Sequence, residues 1–325
     1  MSTTRTLTDT ADGRATRPGF LRGLMWLVLR QHRATMIAAL TLVVSTSLWI
    51  VYQRSELTQL LDAAGWPEKD APIPVVGRQY EYLTMLLSSL PVILAVFLGA
   101  PLIAADQEQG TAQLVTTQSV TRRRWLTAKL GWCFLTVLAG CAVLSALFTW
   151  FWQPHRSVLA SNWLEGEIFD STGPVLPALA LFLTAAGVAI GILLRRVLAA
   201  MVATFVFSVG AQVVWGELIR RKLGTPRMLT YPLDGDLPAR LNDAYELDRW
   251  VGSADGTLYG WGSCAEATEK ATDACIKEKG IVNNVVEYYA HSQMAGMQWA
   301  GAGILLAGTA LLTGFVLWWA ARRPV

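Results

Sequence analysis

Val197-Leu-Ala-Ala-Met-Val-Ala-Thr-Phe-Val-Phe-Ser-Val-Gly-Ala-Gln-Val-Val-Trp215 runs for nineteen residues and holds only Thr204, Ser208, Gly210 and Gln212 among its non-apolar members. A helix needs roughly 20 apolar residues to cross the hydrocarbon core of a bilayer. A buried helix of a soluble protein is usually shorter and keeps a polar stripe. This stretch has the length and lacks the stripe. Working outward, similar stretches lie at 34–52, 83–104, 129–152, 175–194 and 299–320, with the quoted one placed at 197–216. The fold class is therefore an all-α polytopic membrane protein with six transmembrane helices, an interfacial helix at the amino-terminal side and a large extracytoplasmic loop before the last helix. Composition agrees: 53% hydrophobic and 16% charged residues leave too few charges to solvate a globule of 325 residues.

The net charge of +3 conceals an asymmetry. With the amino terminus cytoplasmic and the spans alternating, the inner segments carry 14 basic residues, Lys129 included, against four acids, and the outer ones 13 against 20. Short inner loops rich in Arg and Lys fix such an orientation. Arg122, Arg123, Arg124, Arg195, Arg196, Arg322 and Arg323 fit it. Arg220, Arg221 and Lys222 do not, but they open a long segment, and long segments translocate largely regardless of charge. Both termini are then cytoplasmic, and the setting is the cell membrane. The chain divides into a cytoplasmic 1–33, spans 1–5 over 34–216 with an inner segment 105–128, an extracytoplasmic 217–298, and the last span with its tail at 299–325. Within the first part, Pro18 to Arg33 mixes Leu21, Leu24, Trp26 and Leu29 with Arg22, Arg30 and Arg33, as suits a helix lying in the interface. No cleavable signal peptide is evident.

The outer segment 217–298 is Gly- and Pro-punctuated at first, then reads as helix from about 264 to 279 and from about 283 to 298. Cys264 and Cys275 lie in it, an oxidising setting that favours a disulfide. Ser263 and Glu266 form a capping-box pattern, and one unbroken helix would hold the two cysteines about 16 Å apart. A disulfide needs alpha carbons within about 7 Å. Either the bond forms and the helix is broken, or the helix is whole and the thiols are free; the bond is the reading adopted. The outer loop at 153–174 offers no motif, and its acids Glu165, Glu167 and Asp170 read as solvated.

Several chemistries are missing. The chain lacks a phosphate-cradling Gly-rich loop ending in Gly-Lys-Ser or Gly-Lys-Thr, so no ATP motor is evident in it. It lacks the His-Glu-x-x-His and Gly-x-Ser-x-Gly patterns. No metal site is expected from its three scattered histidines, and no nucleic-acid partner. The spans hold almost no ionisable groups, which disfavours an ion-coupled transporter or a selective channel. Among their polar residues, Ser88 and Ser89 beside Pro91, and above all Gln212, are candidates to line a translocation path, because an amide in lipid needs a partner. Gly187 and Gly191 form a Gly-x-x-x-Gly pair suited to close helix approach, with a partner the sequence does not identify.

Between the second and third spans runs Gly99-Ala-Pro-Leu-Ile-Ala-Ala-Asp106-Gln-Glu108-Gln-Gly110-Thr111, continuing through Thr117-Gln118-Ser-Val-Thr-Arg122-Arg123-Arg124-Trp125 to Lys129. Physics alone reads it as a solvated loop whose arginines set topology. Its order of proline, small apolars, acid-x-Glu-x-Gly-Thr, a Thr/Gln-rich turn and a basic cluster resembles the permease subunits of ABC type-2 exporters, actinobacterial ones in particular, as do the six-span layout and the large last outer loop. The likeness covers nearly the whole chain. It departs from the family pattern at Ala105-Asp106, where relatives often have Arg-Glu, and at Gln298-Trp299-Ala300, where an acid often follows the aromatic. The resemblance implies that Asp106, Glu108, Gly110, Thr111, Gln118, Arg122, Arg123, Arg124 and Trp125 belong to a coupling region that contacts a separate ATPase subunit. It further implies a second permease copy or a related permease as partner, ATP and magnesium on the ATPase and no cofactor in this chain, and a transport rather than an enzymatic role. The rival from another class is a membrane scaffold or sensor whose segment 217–298 binds a ligand.

Overall fold

The structure, a computed structural model, describes residues 33–67, 78–110, 121–159 and 162–322. The expected interfacial helix, Thr111 and Gln118 lie outside these residues. The helices are α1 (Arg33–Ala64), α2 (Arg78–Leu94), α3 (Pro101–Glu108), α4 (Arg122–His155), α5 (Gly166–Phe169), α6 (Val175–Leu194), α7 (Val197–Val214), α8 (Glu269–Glu278) and α9 (Met294–Arg322). Among the described residues, six helical stretches are long and apolar enough to cross a membrane: α1, α2 through α3, α4, α6, α7 with its continuation to Lys222, and α9.

The second span is not a uniform helix. Pro91 has no N–H to give the preceding turn, and a wide π-turn, Ala95–Gly99, follows it. The Ala100 N–H reaches back to Ala95 O at 2.9 Å, and Pro101 starts α3. The fourth span, α6, is the axis of the bundle: sixteen of its 20 residues are buried. By contrast α1 buries only Thr46, Ile50 and Leu61, and α7 only Ala200, Thr204 and Ser208. Spans 1 and 5 are thus the lipid- or partner-facing elements. Between α6 and α7 the chain reverses in two residues, with Arg195 left-handed (φ 57°) and Arg196 extended.

Three expectations are corrected. First, the segment 217–298 holds a four-stranded antiparallel sheet, in the order β1 (Arg227–Pro232), β4 (Ile281–Tyr289), β2 (Tyr245–Ser253), β3 (Leu258–Gly260). Residues 283–289, read as helix, are strand because Val285, Val286, Tyr288 and Tyr289 are β-branched or aromatic and buried, Val286 and Tyr288 in the sheet's own small core and Tyr289 in the core of the bundle. Second, the helix read as 264–279 begins only at Glu269, where Thr268 caps it by accepting from the Ala271 N–H; Ser263 instead donates to Gly260 O. Cys264 therefore precedes the helix, and the Cys264–Cys275 disulfide spans a Cα–Cα distance of 5.6 Å. Gly280, with φ +62°, stops the helix.

Third, of the acids read as solvated in the 153–174 loop, Glu165 and Glu167 are exposed as expected, whereas Asp170 is largely enclosed. Trp163, Leu164, Ile168, Phe169, Ser171 and Thr172 are all buried. Asp170 accepts from Trp215 Nε1 at 2.8 Å and from Arg220 at 2.6 Å. Burial pushes its carboxyl above the usual carboxylate range, against the pull of Arg220 and Trp215. Gln298 donates to Phe169 O, Thr172 O and the Thr172 hydroxyl at 2.8–3.2 Å and so clamps this loop. Arg220, which strains the charge rule, is neutralised by Asp170, and Arg221 lies 3.6 Å from Glu217.

Candidate functional site

The site is the end of the bundle away from the sheet, where α3 leads into 111–120 and α4 returns. Three separate ties bind α3 to its neighbours. Asp106 forms a buried ion pair with Lys129 of α4, whose side chain is fully enclosed. The Lys129 ammonium also lies 4.8 Å from the ring centroid of buried Trp125. The second tie is polar and exposed: Glu108 Oε2 accepts the backbone N–H of Val197 at 2.8 Å. That N–H is among those a helix start leaves without an intrahelical acceptor, and the helix dipole favours a carboxylate there. Glu108 therefore holds the beginning of α7.

The third tie is backbone packing along α6. A Cβ on Gly187 would stand 2.6 Å from Ala95 O, and one on Gly99 the same distance from Thr184 O. On Gly191 it would collide with Ala100 O. The partner of the Gly-x-x-x-Gly pair is thus the π-turn of span 2 and the start of α3, pressed backbone to backbone. Ala100, Ala104 and Ala200 extend this close packing to α7.

After Glu108 the helix ends at Gln109, and Gly110 turns out with φ +70°, a conformation that costs a side-chain-bearing residue about 1–2 kcal/mol. Arg123 and Arg124 are exposed on the first turn of α4, whereas Trp125 is folded inward. Of the nine residues named for coupling, Asp106 and Trp125 thus sit inside the bundle, Glu108, Gly110, Arg123 and Arg124 lie at its surface, and Thr111 and Gln118 are outside the described residues. Arg122 is part of α4.

Of the residues named for a path, Gln212 and Ser88 meet between spans 5 and 2. Gln212 Nε2 donates to Ser88 O at 3.0 Å, which supplies the partner an amide in lipid requires. Ser89 returns its hydroxyl to Met85 O and Leu86 O of its own helix. Ser88 Oγ is buried with no hydrogen-bond partner among the described residues. The sequence reading missed Lys129 as an interior residue. Its signal was available, since it heads an apolar stretch and an acid stands one hairpin earlier.

A family model described as ABC-2 membrane transporter related matches residues 36–220, more than half of the chain. No curated protein and no solved structure matches. The matched range takes in the first five spans, α3 and all three of its ties. The chain belongs to the ABC-2 membrane transporter related family.

Proposed function

We propose that this chain is the permease subunit of an ATP-driven exporter of the cell membrane. Two copies, or one copy and a related permease, pair around a central path, and separate ATPase subunits carrying ATP and magnesium dock on 105–128. The observation that carries this reading is mechanical: the helix entering the 111–120 stretch is tied to span 3 through Asp106–Lys129, to span 4 through glycine packing, and to span 5 through Glu108 on the Val197 N–H. A displacement of that stretch is handed to three spans at once. The ATPase supplies the bias through its different nucleotide affinity in the two conformations. Span 5 in turn meets span 2 at Gln212 and Ser88, so these residues are the candidate lining that such a displacement would move. The disulfide in the sheet-bearing segment supports an outward orientation for that end.

The test is reconstitution in proteoliposomes with the ATPase that co-purifies in mild detergent. Glu108→Arg is expected to insert normally and to lose transport-linked ATP hydrolysis, while Glu108→Gln, which keeps an acceptor for Val197, retains most of it. Unchanged turnover in Glu108→Arg removes Glu108 from the coupling route. Consistent absence of a co-purifying ATPase favours the scaffold or sensor instead.

A further inference from the structure

At the sheet-bearing end, a cleft of about 320 Å³ opens where the end of α4, residues 162–163, the turn before β2 and the start of the last span converge. None of the coupling contacts involves it. Its walls are two buried indoles, Trp152 and Trp163, with the His291 imidazole between them, each ring centroid 6.1 Å away and Trp163 edge-on. Its rim carries Arg156 and Asp243, paired at 3.1 Å and both partly exposed, together with the amides of Asn162 and Asn242. His291 Nε2 is buried with no hydrogen-bond partner among the described residues.

The chemistry of this lining selects its ligand. Among the described lining residues the one guanidinium and the one carboxylate cancel, so the cleft has no net pull on a charged group. Arg156 spends one donor on Asp243 Oδ2, which leaves further N–H groups and the other carboxylate oxygen beside two amides that each donate and accept. Flat ring walls, with the Trp152 and Trp163 indole N–H groups also lacking a partner among the described residues, below a mixed and neutral set of planar donors and acceptors match a ring with apolar faces and hydroxyls around its edge. An anion would meet Asp243, and a purely apolar ligand would leave the rim groups without partners. We infer that the cleft is a binding site for a neutral polyhydroxylated ring, a sugar unit, either free or as the headgroup of a glycolipid. Arg156 belongs to the helical bundle and Asp243 to the sheet unit, so an occupant bonded to both ties the sheet to the spans. The inference does not depend on any ATPase partner.

The test uses the full chain in phosphatidylglycerol nanodiscs, with maltose as free sugar, diglucosyl diacylglycerol added to the discs as lipid-borne sugar, and sodium phosphate as the wrong class. Saturation-transfer NMR reads maltose binding, and a rise in the thermal transition reads the glycolipid. Binding is expected to weaken about tenfold or more in Asp243→Ala, as befits loss of a hydrogen bond to a charged group. Asn242→Ala, at an exposed position, provides a second variant that keeps the fold. Response to maltose assigns a soluble saccharide, and response to the glycolipid alone assigns a headgroup. Response to neither by the folded protein, or response to phosphate in place of both, overturns the inference, as does binding by both variants that is unchanged from the parent.

Discussion

Lys129 is among the largest side chains fully enclosed by the bundle, and its ammonium faces Asp106. Enclosing two charges costs more than their attraction returns unless the geometry is good, so such a pair fixes an arrangement more than it stabilises one. Removing one partner is a different matter, because the other charge stays behind in a low-dielectric interior. Lys129→Met is expected to lower stability by about 3–5 kcal/mol, whereas the double change Asp106→Leu with Lys129→Met is expected to be nearly neutral or stabilising. Thermal unfolding of the three proteins in detergent checks this, and equal transitions for Lys129→Met and the parent would contradict the pairing. At this scale the sequence was half legible. The acid-x-Glu pattern marked Asp106 and Glu108, yet which of the two is buried depends on what α4 and α7 bring to them. One faces a lysine 23 residues on; the other faces a helix start 89 residues on.

The element that decides the packing is α6, and its glycines make the same point in volume. At Gly187 an added methyl meets the Ala95 carbonyl at 2.6 Å, and backbone cannot swing aside as a flexible side chain can. Gly187→Ala is expected to cost about 1–3 kcal/mol by overpacking. Gly131 of α4 and Gly210 of α7 are the internal comparison, since nothing stands within 4 Å of a Cβ built on either. There the helix only loses the entropic penalty of glycine, and alanine is expected to be neutral or to stabilise by about 0.5–1 kcal/mol. Parallel thermal unfolding of the three alanine variants reads the difference, and a common shift in all of them would refute the close approach. The Gly-x-x-x-Gly spacing was plain in the sequence. Its partner was not, because the receiving surface is the backbone of a π-turn, and backbone presented to a neighbour leaves little residue signature beyond Pro91 upstream of it and Gly99 within it.

Over the whole molecule, the two ends differ in kind: one carries the basic turn of α4 and the exit of α3, the other a disulfide-linked sheet. The proposed orientation predicts that an impermeant maleimide applied to intact cells labels Asp236→Cys in the sheet unit and spares Gln109→Cys beyond α3, both at exposed positions. The native Cys133 and Cys141 are buried and contribute little background. The reverse labelling pattern would invert the molecule and end the proposed docking of an ATPase on 105–128.

The sequence by itself determined the six apolar rods and their approximate limits, because a bilayer demands length and apolarity of any segment that crosses it, and those are sums over neighbours in the chain. It also marked the hairpin between spans 2 and 3 by its pattern of acids, glycine and arginines. Tertiary structure alone decided that span 4 is the axis, that Lys129 and Asp170 are interior, and that residues 281–289 are strand. Each of these depends on a surface supplied by distant residues: the π-turn for α6, Asp106 for Lys129, Arg220 and Trp215 for Asp170, and β1 and β2 for β4. Pairings of that kind are set by shape and desolvation across the fold, and the order of residues along the chain does not record them.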